Sequence, residues 1–301
     1  MDGMVLTSGV SGLLGTALRQ ALQERQQPVL QLVRGVARRP GQLTWNPAAR
    51  PAIPDAGALE GCAAAFHLSG ANVAGRRWTA AYRREMTASR VETTRALAEA
   101  LAGLRSRPRV LVAASAVGIY GDRGGEMLDE SSAPGEGFLA ELCRAWEEAT
   151  KPAEDAGIRV VHARFGVVLS RNGGALAKML PAFCAGLGGR LGNGRQWMSL
   201  VSLDDAVRAL LFAAENETVR GAMNVTAPEP ATNAAFTRAL ARRLHRPAIF
   251  PAPAFALRLA FGQMADEALL TSQRAVPRKL LDAGFRFAHP DVNAALAAAL
   301  G

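Results

Sequence analysis

The chain has few residues of the kinds that bind metal ions or form disulfides. Its 301 residues include three cysteines, with no CxxC pair, and four histidines, none at metal-ligand spacing. This scarcity argues against a zinc site and a disulfide framework, so we predict no metal and expect reduced thiols in a cytoplasmic protein. No arrangement of Ser, His and Asp beyond chance points to a hydrolytic triad.

The chain also lacks any long apolar run and any basic-then-apolar leader pattern, so we expect no membrane association. Its net charge of +9, with clusters such as "RGVARRP" and "YRREM", raises the alternative of contact with nucleic-acid phosphates. However, no motif of a nucleic-acid module is present, and aromatic residues are only 6% of the chain, too few for base-stacking platforms. We therefore predict that nucleic acid is not a partner.

What the sequence does contain is a regular alternation of short apolar runs and helical stretches. Strands are predicted over "MVLTSG", "PVLQLVR", "CAAAFHLSG", "RVLVAASA" and "IRVVHARFGVVL". Helices are predicted over "LLGTALRQALQERQ", "SRVETTRALAEALAGL" and "FLAELCRAWEEATKPAEDAG". This order indicates an α/β fold with a parallel sheet covered on both faces, in which ligands bind beyond the carboxyl ends of the strands.

The stretch "SGVSGLLG" places Gly9, Gly12 and Gly15 between the first predicted strand and the first predicted helix. Glycines at such a turn bring backbone N–H groups close to a pyrophosphate at the positive end of the helix. Glycines also end strands for structural reasons alone, but this position favours ligand binding. We therefore predict a dinucleotide site.

The second predicted strand ends "LVR" at Arg34, with Arg38 and Arg39 close behind. Proteins that prefer NAD usually place Asp or Glu at this strand end, to accept hydrogen bonds from the ribose hydroxyls. A guanidinium instead suits the extra phosphate of NADP(H), which we predict as the cofactor. The alternative is a solvated arginine at the end of a strand.

Longer motifs carry a family resemblance, among them "SRVETTRAL", "SAVGIYG", "RFGVVLSRNGGALAKMLPAF" and "GLGGRLGNGRQWMS". With them the sequence resembles the extended short-chain dehydrogenase/reductases of the NAD(P)-dependent epimerase/dehydratase family, in the branch of epimerase family proteins. The stretch from "RPAIFPAPAF" onward is similar to that branch's C-terminal domain of unknown function. The resemblance implies a Rossmann-like doubly wound parallel sheet over residues 1–230, with substrate-loop insertions at about 170–200, and a small C-terminal α/β substrate domain over residues 231–301.

The resemblance also assigns the residues that bind the cofactor. It places these positions along the phosphate loop and beside the ribose and nicotinamide: Ser8, Gly9, Ser11, Gly12, Leu14, Gly15, Val33, Arg34, Leu68, Ser69, Glu85, Arg90 and Val168. Arg90 stands where the family has a catalytic Asn. The open alternatives for Arg90 are that it polarises a substrate carbonyl or that it pairs with Glu85 or a cofactor phosphate.

The family's usual proton-transfer pair is altered in this chain. A Tyr and a Lys four residues apart normally transfer the proton and hold the ribose, but Phe138 and Leu142 occupy these positions. Ser115 matches the family's serine, and Tyr120 is the most attractive substitute acid, with a structural or substrate-contact role as its open alternative. The family's standard mechanism is therefore not available to this protein.

The segment over residues 173–212 corresponds to the region where members of this family wrap their substrate. Candidates for contact with a small, anionic substrate are Lys178, Arg190, Arg195 and Gln196, although exposed arginines are also common in a basic chain. Asp204 and Asp205 are predicted to open a helix, and N-capping explains at least one of them. We expect an NADP(H)-binding oxidoreductase or epimerase-like protein of unknown substrate, monomeric or homodimeric. The alternative is a non-catalytic NADPH-binding sensor or regulatory protein.

Overall fold

A computed structural model describes residues 3–301. Thirteen strands occur in this range: β1 (Val5–Ser8), β2 (Val29–Arg34), β3 (Gln42–Trp45), β4 (Ala64–His67), β5 (Val110–Ala116), β6 (Met127–Leu128), β7 (Arg159–Phe165), β8 (Val167–Leu169), β9 (Trp197–Met198), β10 (Leu200–Ser202), β11 (Gly221–Val225), β12 (Ala231–Thr232) and β13 (Arg274–Ala275). Seven of these strands form the central sheet, and the other six form three small two-stranded pairs.

Ten α-helices accompany the strands within the same residues: α1 (Leu13–Glu24), α2 (Ala80–Ala102), α3 (Phe138–Glu148), α4 (Lys151–Asp155), α5 (Gly174–Cys184), α6 (Leu203–Glu215), α7 (Asn233–Leu244), α8 (Ala254–Phe261), α9 (Arg278–Asp282) and α10 (Val292–Leu300). Short 3₁₀ turns cover Ala56–Leu59 and Val117–Tyr120, and a single π-helical turn covers Ala265–Leu269. Across residues 3–301, none of these helices has the length and apolar character needed to span a membrane.

The central sheet has the strand order β11-β7-β5-β4-β1-β2-β3, and every neighbouring pair is parallel. The chain moves outward through β2 and β3 on one side of β1, and through β4, β5, β7 and β11 on the other. The direction of winding therefore reverses between β1 and β4, which leaves a crevice beyond their carboxyl ends. This arrangement confirms the predicted Rossmann-like, doubly wound α/β fold.

Both faces of the sheet are buried, which explains why its strands are almost continuously apolar. On one face, Val5 packs with Leu18 and Leu22 of α1 and with Leu210 of α6. On the other face, the next residue of β1, Leu6, joins a cluster that also contains side chains of α2 and α4. Successive strand residues thus contribute to opposite cores, as the period of two along a strand requires.

The structure differs from the predicted elements in several places. An edge strand, β3, was absent from the prediction. The single helix predicted over "FLAELCRAWEEATKPAEDAG" is two helices, α3 and α4, and Pro152 lies in the first turn of α4, where its missing N–H removes no helical hydrogen bond. The single strand predicted over "IRVVHARFGVVL" is divided at Gly166, after which β8 leaves the central sheet and pairs with β10.

The C-terminal residues complete pairs that begin earlier in the chain. Strand β12 pairs with β9, strand β13 pairs with β6, and helix α10 packs with α7 and β10. One apolar cluster there joins Leu176, Phe236 and Leu296, so it draws on residues on both sides of position 230. The domain boundary at residues 230 and 231 stays a prediction.

Candidate functional site

The glycine loop lies in the crevice between β1 and β4. Gly9 has a φ of +76°, and a Cβ added there would lie 2.5 Å from the carbonyl carbon of Leu68. A Cβ on Gly15 would lie 2.2 Å from the carbonyl oxygen of Gly9. A Cβ on Gly12, by contrast, would meet nothing closer than that same oxygen, at 3.5 Å. Backbone packing thus requires glycine at the first and third positions, while the second faces open space.

Helix α1 begins directly at this loop. Its N-cap is Gly12, in an extended conformation, and no side chain caps the first turn, which also contains no acidic residue. The backbone N–H groups of that turn are therefore available to an anion at the positive end of the helix. They open into a cleft of about 330 Å³, whose walls include Gly9, Gly12, Leu14, Gly15, Leu68, Val167 and Val168.

Ser8 does not direct its side chain into the cleft. Its Oγ lies 2.6 Å from Nδ1 of His67, and both residues are buried. Burial lowers the pKa of His67 to about 4, so the imidazole is neutral at pH 7. The role assigned to Ser8 is therefore open only to its backbone. Of the other loop and strand-end positions, Ser11 is exposed and Ser69 is half-buried.

Arg34 closes β2 at the carboxyl edge of the sheet. Its side chain is exposed, and no carboxylate among residues 3–301 lies within ion-pair distance of it. Val33 beside it is half-buried. The loop that follows is shaped by two backbone donors: Ala37 N donates to Thr44 Oγ1 at 2.9 Å, and Arg38 N donates to Gln42 Oε1 at 3.0 Å. The strand end thus presents a cation that is free to meet a ligand.

Glu85 and Arg90 both lie on α2, but they do not meet. Glu85 is exposed and pairs with Arg76 at 3.8 Å. Arg90 is buried, donates to the carbonyl oxygen of Ala71 at 2.9 Å, and stacks on Trp146 with its guanidinium carbon 4.9 Å from the ring centroid. Burial lowers the pKa of Arg90. The alternative in which Glu85 and Arg90 pair is therefore wrong.

The positions of the family's Tyr and Lys lie in an apolar cluster. Leu142 is buried there with Met86 of α2 and Met264 of the C-terminal segment. Phe138 packs edge-on against Trp78, with ring centroids 5.5 Å apart. Two hydrogen bonds hold the edges of this cluster. Glu267 Oε2 accepts from Leu139 N at 2.8 Å, and Trp78 Nε1 donates to the carbonyl oxygen of Val73 at 2.8 Å. The side chains at positions 138 and 142 themselves cannot transfer a proton, and the Tyr82 hydroxyl of this cluster donates to the carbonyl oxygen of Asn72.

The Ser115 side chain belongs to a buried network with Glu147 and Arg164. Its Oγ donates to Glu147 Oε1 at 2.7 Å, and Arg164 binds the same carboxylate through Nε and Nη2, each at 2.8 Å. Burial raises the pKa of Glu147, but the hydrogen bonds and charge of Arg164 outweigh burial and hold that pKa below its ordinary value. Ser115 is therefore fixed toward α3, with its hydroxyl proton already committed.

Tyr120 belongs to the same network and is fully buried. Its hydroxyl lies 2.8 Å from Asn224 Oδ1 and 3.0 Å from the carbonyl oxygen of Asp129, and it accepts a hydrogen bond from Arg164 at 3.0 Å. Burial raises the pKa of this phenol. Every direction around the hydroxyl is thus taken by protein, so this arrangement gives no support to Tyr120 as the substitute acid.

Glu147, Arg164 and Asn224 are the charged and polar residues that the sequence analysis did not connect. The available signal was Arg164, next to the last residue of the mainly apolar strand "RVVHARF", because a buried arginine requires an acceptor. The sequence alone does not show which of its carboxylates lies opposite.

Comparison with known proteins identifies the relatives of this chain. The profile of the NAD dependent epimerase/dehydratase family matches residues 5–226. The chain belongs to this family. A domain of unknown function, DUF1731, matches residues 252–299. Epimerase family protein Mb2239 of Mycobacterium bovis is 45% identical over 295 residues, which cover 98% of this chain and 97% of that protein.

Two solved structures show the likeness of this epimerase family member in three dimensions. Human epimerase family protein SDR39U1, crystallised with NADPH, is 35% identical, with a TM-score of 0.90 and 98% of each chain covered. The nucleoside-diphosphate sugar epimerase from Corynebacterium glutamicum is 37% identical, with a TM-score of 0.80; the match covers 100% of this chain and 59% of that one. These likenesses confirm the resemblance stated from the motifs.

The predicted substrate residues of this family member lie in different settings. Lys178 reaches from α5 to the carbonyl oxygen of Ala74, and thereby connects the substrate segment with the loop before α2. Arg190 and Arg195 are exposed. Gln196 is buried and donates to the carbonyl oxygens of Leu191 and Leu269, both at 3.1 Å, which makes it a connector between segments.

The two acids that open α6 do not cap it. Both acids lie in the first turn of α6, as predicted, but the cap is Ser202, whose Oγ accepts from Asp205 N at 3.1 Å, so the prediction that at least one of the acids caps the helix was wrong. The buried Asp205 carboxylate instead accepts from the backbone N–H groups of Ala288 and His289, at 2.9 and 2.8 Å. Asp204, Asp205 and His289 form one cluster of possible metal ligands in residues 3–301, but these donors already occupy Asp205.

Proposed function

We propose that this protein binds NADP(H) across the carboxyl ends of β1, β2 and β4 and acts as an oxidoreductase or epimerase-like enzyme on a small molecule. The observation that carries the proposal is the combination of Gly12 in the lining of the cleft and the uncapped α1 with Arg34 at the end of β2, which pairs with no carboxylate among residues 3–301. The NADPH in the crystal structure of human SDR39U1, at 35% identity, supports it.

Each part of the cleft has a task in this proposal. The first-turn N–H groups of α1 bind the pyrophosphate, and Arg34 binds the extra phosphate of the adenosine ribose. Leu68, Val167 and Val168 supply apolar walls. The bound nicotinamide supplies the hydride. The chain's own residues hold the cofactor.

The proton must then come from an unconventional source. Phe138 and Leu142 are apolar, and the hydroxyls of Ser115 and Tyr120 are committed to a buried network. Arg90 contributes positive charge near the end of β4, where its guanidinium adjoins Gly70, and this charge can polarise a substrate carbonyl. Solvent or the substrate itself then supplies the proton.

The apolar cluster also favours a second candidate function, a non-catalytic NADPH-binding sensor. In that case the cofactor is bound but never consumed. Incubation with NADPH and a fractionated metabolite extract separates the two candidates, with absorbance at the nicotinamide band and mass spectrometry as readouts. Oxidation of NADPH or isomerisation of a metabolite supports the enzyme. Tight binding with no turnover supports the sensor.

The cofactor assignment itself is tested by Arg34→Ala. Loss of charge-assisted hydrogen bonds to the extra phosphate is expected to weaken NADPH binding about 10- to 100-fold, with little change for NADH. Arg95→Ala, which removes an exposed arginine of α2, is the control and should leave both affinities unchanged. Equal losses for NADPH and NADH in Arg34→Ala, measured by calorimetry, would refute the NADP(H) assignment.

A further inference from the structure

A second cleft lies at the C-terminal end of α7. Its volume is about 540 Å³, within the range of sites that hold small molecules. Four of its lining residues lie on α7 at the spacing of three or four positions that defines one face of a helix: Thr237, Arg238, Ala241 and Arg242. His245 and Arg246, directly after the helix, continue the lining.

The cleft carries positive charge that no acidic residue balances. The sequence contains no Asp or Glu between Glu229 and Asp266. None of the three lining arginines forms an ion pair within residues 3–301. A cation in the last turn of a helix is favourable in itself, which accounts for Arg242 but not for Arg238 in the middle of α7.

The three guanidinium groups also keep unused donors. The Arg238 side chain has no hydrogen-bond acceptor in the described part of the chain. Arg242 Nη2 donates only to Asn293 Oδ1, at 3.4 Å, and Arg246 Nε donates to the carbonyl oxygen of Cys184 at 3.0 Å. An arginine fork with free N–H groups matches the oxygens of a phosphate or a carboxylate.

Thr237 adds an uncharged donor to the same cleft. It is only 4% exposed, and its Oγ1 is buried without a hydrogen-bond partner. Such a group is costly, and native proteins rarely leave one unless a ligand or water satisfies it. The other buried threonines of the described chain each have a partner: Thr7, Thr94, Thr150 and Thr226.

This cleft is separate from the cofactor cleft. Helix α5 begins at Gly174, which lines the cofactor cleft, and ends at Cys184, whose carbonyl oxygen accepts from Arg246. The 11 residues of this helix span about 15 Å. A ligand at the end of α7 therefore does not contact the glycine loop.

We propose that the cleft at the end of α7 binds the phosphate group of a ligand that is neither the cofactor nor the substrate. A phosphate monoester carries nearly two negative charges and three terminal oxygens, which suits several arginine forks better than a single carboxylate does. Arg238 and Arg242 bind these oxygens, and the Thr237 hydroxyl donates to one of them. Pro247 and Ala248 contact the apolar part of the ligand. This site does not depend on the proposed function.

The test is a titration of the full chain with sodium phosphate at constant pH and ionic strength, with sodium chloride as the reference salt. The readout is the imidazole ¹H–¹³C signals of the four histidines, with His245 assigned by His245→Gln. The test variants are Arg238→Gln and Thr237→Val. The control Arg243→Gln removes an exposed charge of the same helix that does not line the cleft. Arg34→Ala is included because inorganic phosphate can also bind at the glycine loop.

A saturable shift of the His245 signal is expected in wild type, Arg243→Gln and Arg34→Ala. Loss of a charge-assisted hydrogen bond should weaken phosphate binding at this signal about 10-fold in Arg238→Gln. Thr237→Val keeps the shape of the side chain but removes the hydroxyl, and it should weaken binding by a similar factor. A purely structural Thr237 would leave the affinity for phosphate unchanged.

The carrier of the phosphate is identified by co-sedimentation with phosphatidylcholine vesicles, with and without phosphatidic acid. Binding to the acidic vesicles that is lost in Arg238→Gln would assign the site to a lipid headgroup. A response to inorganic phosphate without vesicle binding would assign it to a soluble phosphate monoester. Either carrier supports the phosphate site.

Two results would overturn the phosphate site. One is the absence of a saturable shift at His245 in wild type. The other is an affinity for phosphate that is the same in wild type, Arg238→Gln and Thr237→Val, or that falls equally in Arg243→Gln. A protein whose His245 signal responds to phosphate but which fails to bind NADPH would leave this site standing and refute the proposed function instead.

Discussion

Substitutions in the glycine loop are expected to affect stability and cofactor binding separately. Gly15→Ala places a methyl group 2.2 Å from the carbonyl oxygen of Gly9, so the backbone of the loop must move. Gly12→Ala places one 3.5 Å from the same oxygen, an ordinary contact, but on the side that opens into the cleft. We expect the first substitution to damage stability and the second to damage cofactor binding.

The magnitudes follow from these distances. Overlap with backbone atoms that cannot rotate away costs about 1–3 kcal/mol or more for Gly15→Ala. For Gly12→Ala the cost to folding is only that of alanine at an N-cap, about 0.5–1 kcal/mol. The methyl group of Gly12→Ala nevertheless occupies the space over the first-turn N–H groups, so NADPH affinity should fall about 10-fold or more.

The assay is thermal denaturation of each variant with and without NADPH, together with calorimetric titration. Gly57→Ala is the control, because its Cβ would meet only the Asp55 side chain at 3.7 Å, and it should change neither property. NADPH binding by Gly12→Ala as tight as that of the wild type would contradict the first-turn binding site, and a wild-type melting temperature for Gly15→Ala would contradict the steric requirement for glycine at position 15.

Two further predictions concern buried ionisable groups. Because the folded pKa of His67 is lowered to about 4, the unfolded chain binds its proton first, and the free energy of unfolding should fall by about 3 kcal/mol as the pH drops from 6.5 to 4. Urea titrations should show this fall in wild type but a flatter profile in His67→Gln, and equal profiles would contradict it. Glu147→Gln leaves Arg164 buried without its counter-charge and should destabilise by about 3–5 kcal/mol, while Glu148→Gln, at the exposed neighbour, should have little effect. The pKa of Glu147 is lower in the folded protein than in the unfolded chain, so its ionised carboxylate adds to the free energy of unfolding above the unfolded pKa, and this contribution is lost as the pH falls through the folded pKa. An acid-unfolding midpoint that is the same in Glu147→Gln and wild type would contradict this prediction.

The sequence predicts those elements of the fold whose signals lie in neighbouring residues. Consecutive residues from Val5 to Glu24 form the strand, the glycine loop and the helix, and their sequence pattern indicates all three. The same holds for β2, which ends at Arg34. The division at Gly166 was missed, because the reason for it is the carbonyl of Ser199, 33 positions away in the chain. Glycine in a strand pattern is a weak signal without knowledge of that neighbour.

In the candidate site, too, the sequence predicted the local motif but not the contacts between distant residues. The cleft does gather Gly9, Gly12, Gly15, Leu68 and Val168, which the motifs had named. The partners of Ser115 and Tyr120 come from three separate elements, and no spacing rule connects a serine on β5 with a glutamate on α3 and an arginine on β7. Contacts of this kind depend on the register between strands, where Ser115 lies directly opposite Arg164.

The apolar cluster around Leu142 has a consequence for how this branch relates to catalytically conventional members of its family. A lysine introduced at position 142 would place its ammonium among the buried side chains of Met86 and Met264, while Glu267, the carboxylate that binds this end of α3, already accepts from Leu139 N at 2.8 Å. Burying such an unpaired charge costs several kcal/mol. Introducing tyrosine and lysine at positions 138 and 142 would therefore require the C-terminal segment to withdraw as well. Departure from tyrosine–lysine chemistry is thus locked by packing, and two point mutations alone cannot reverse it.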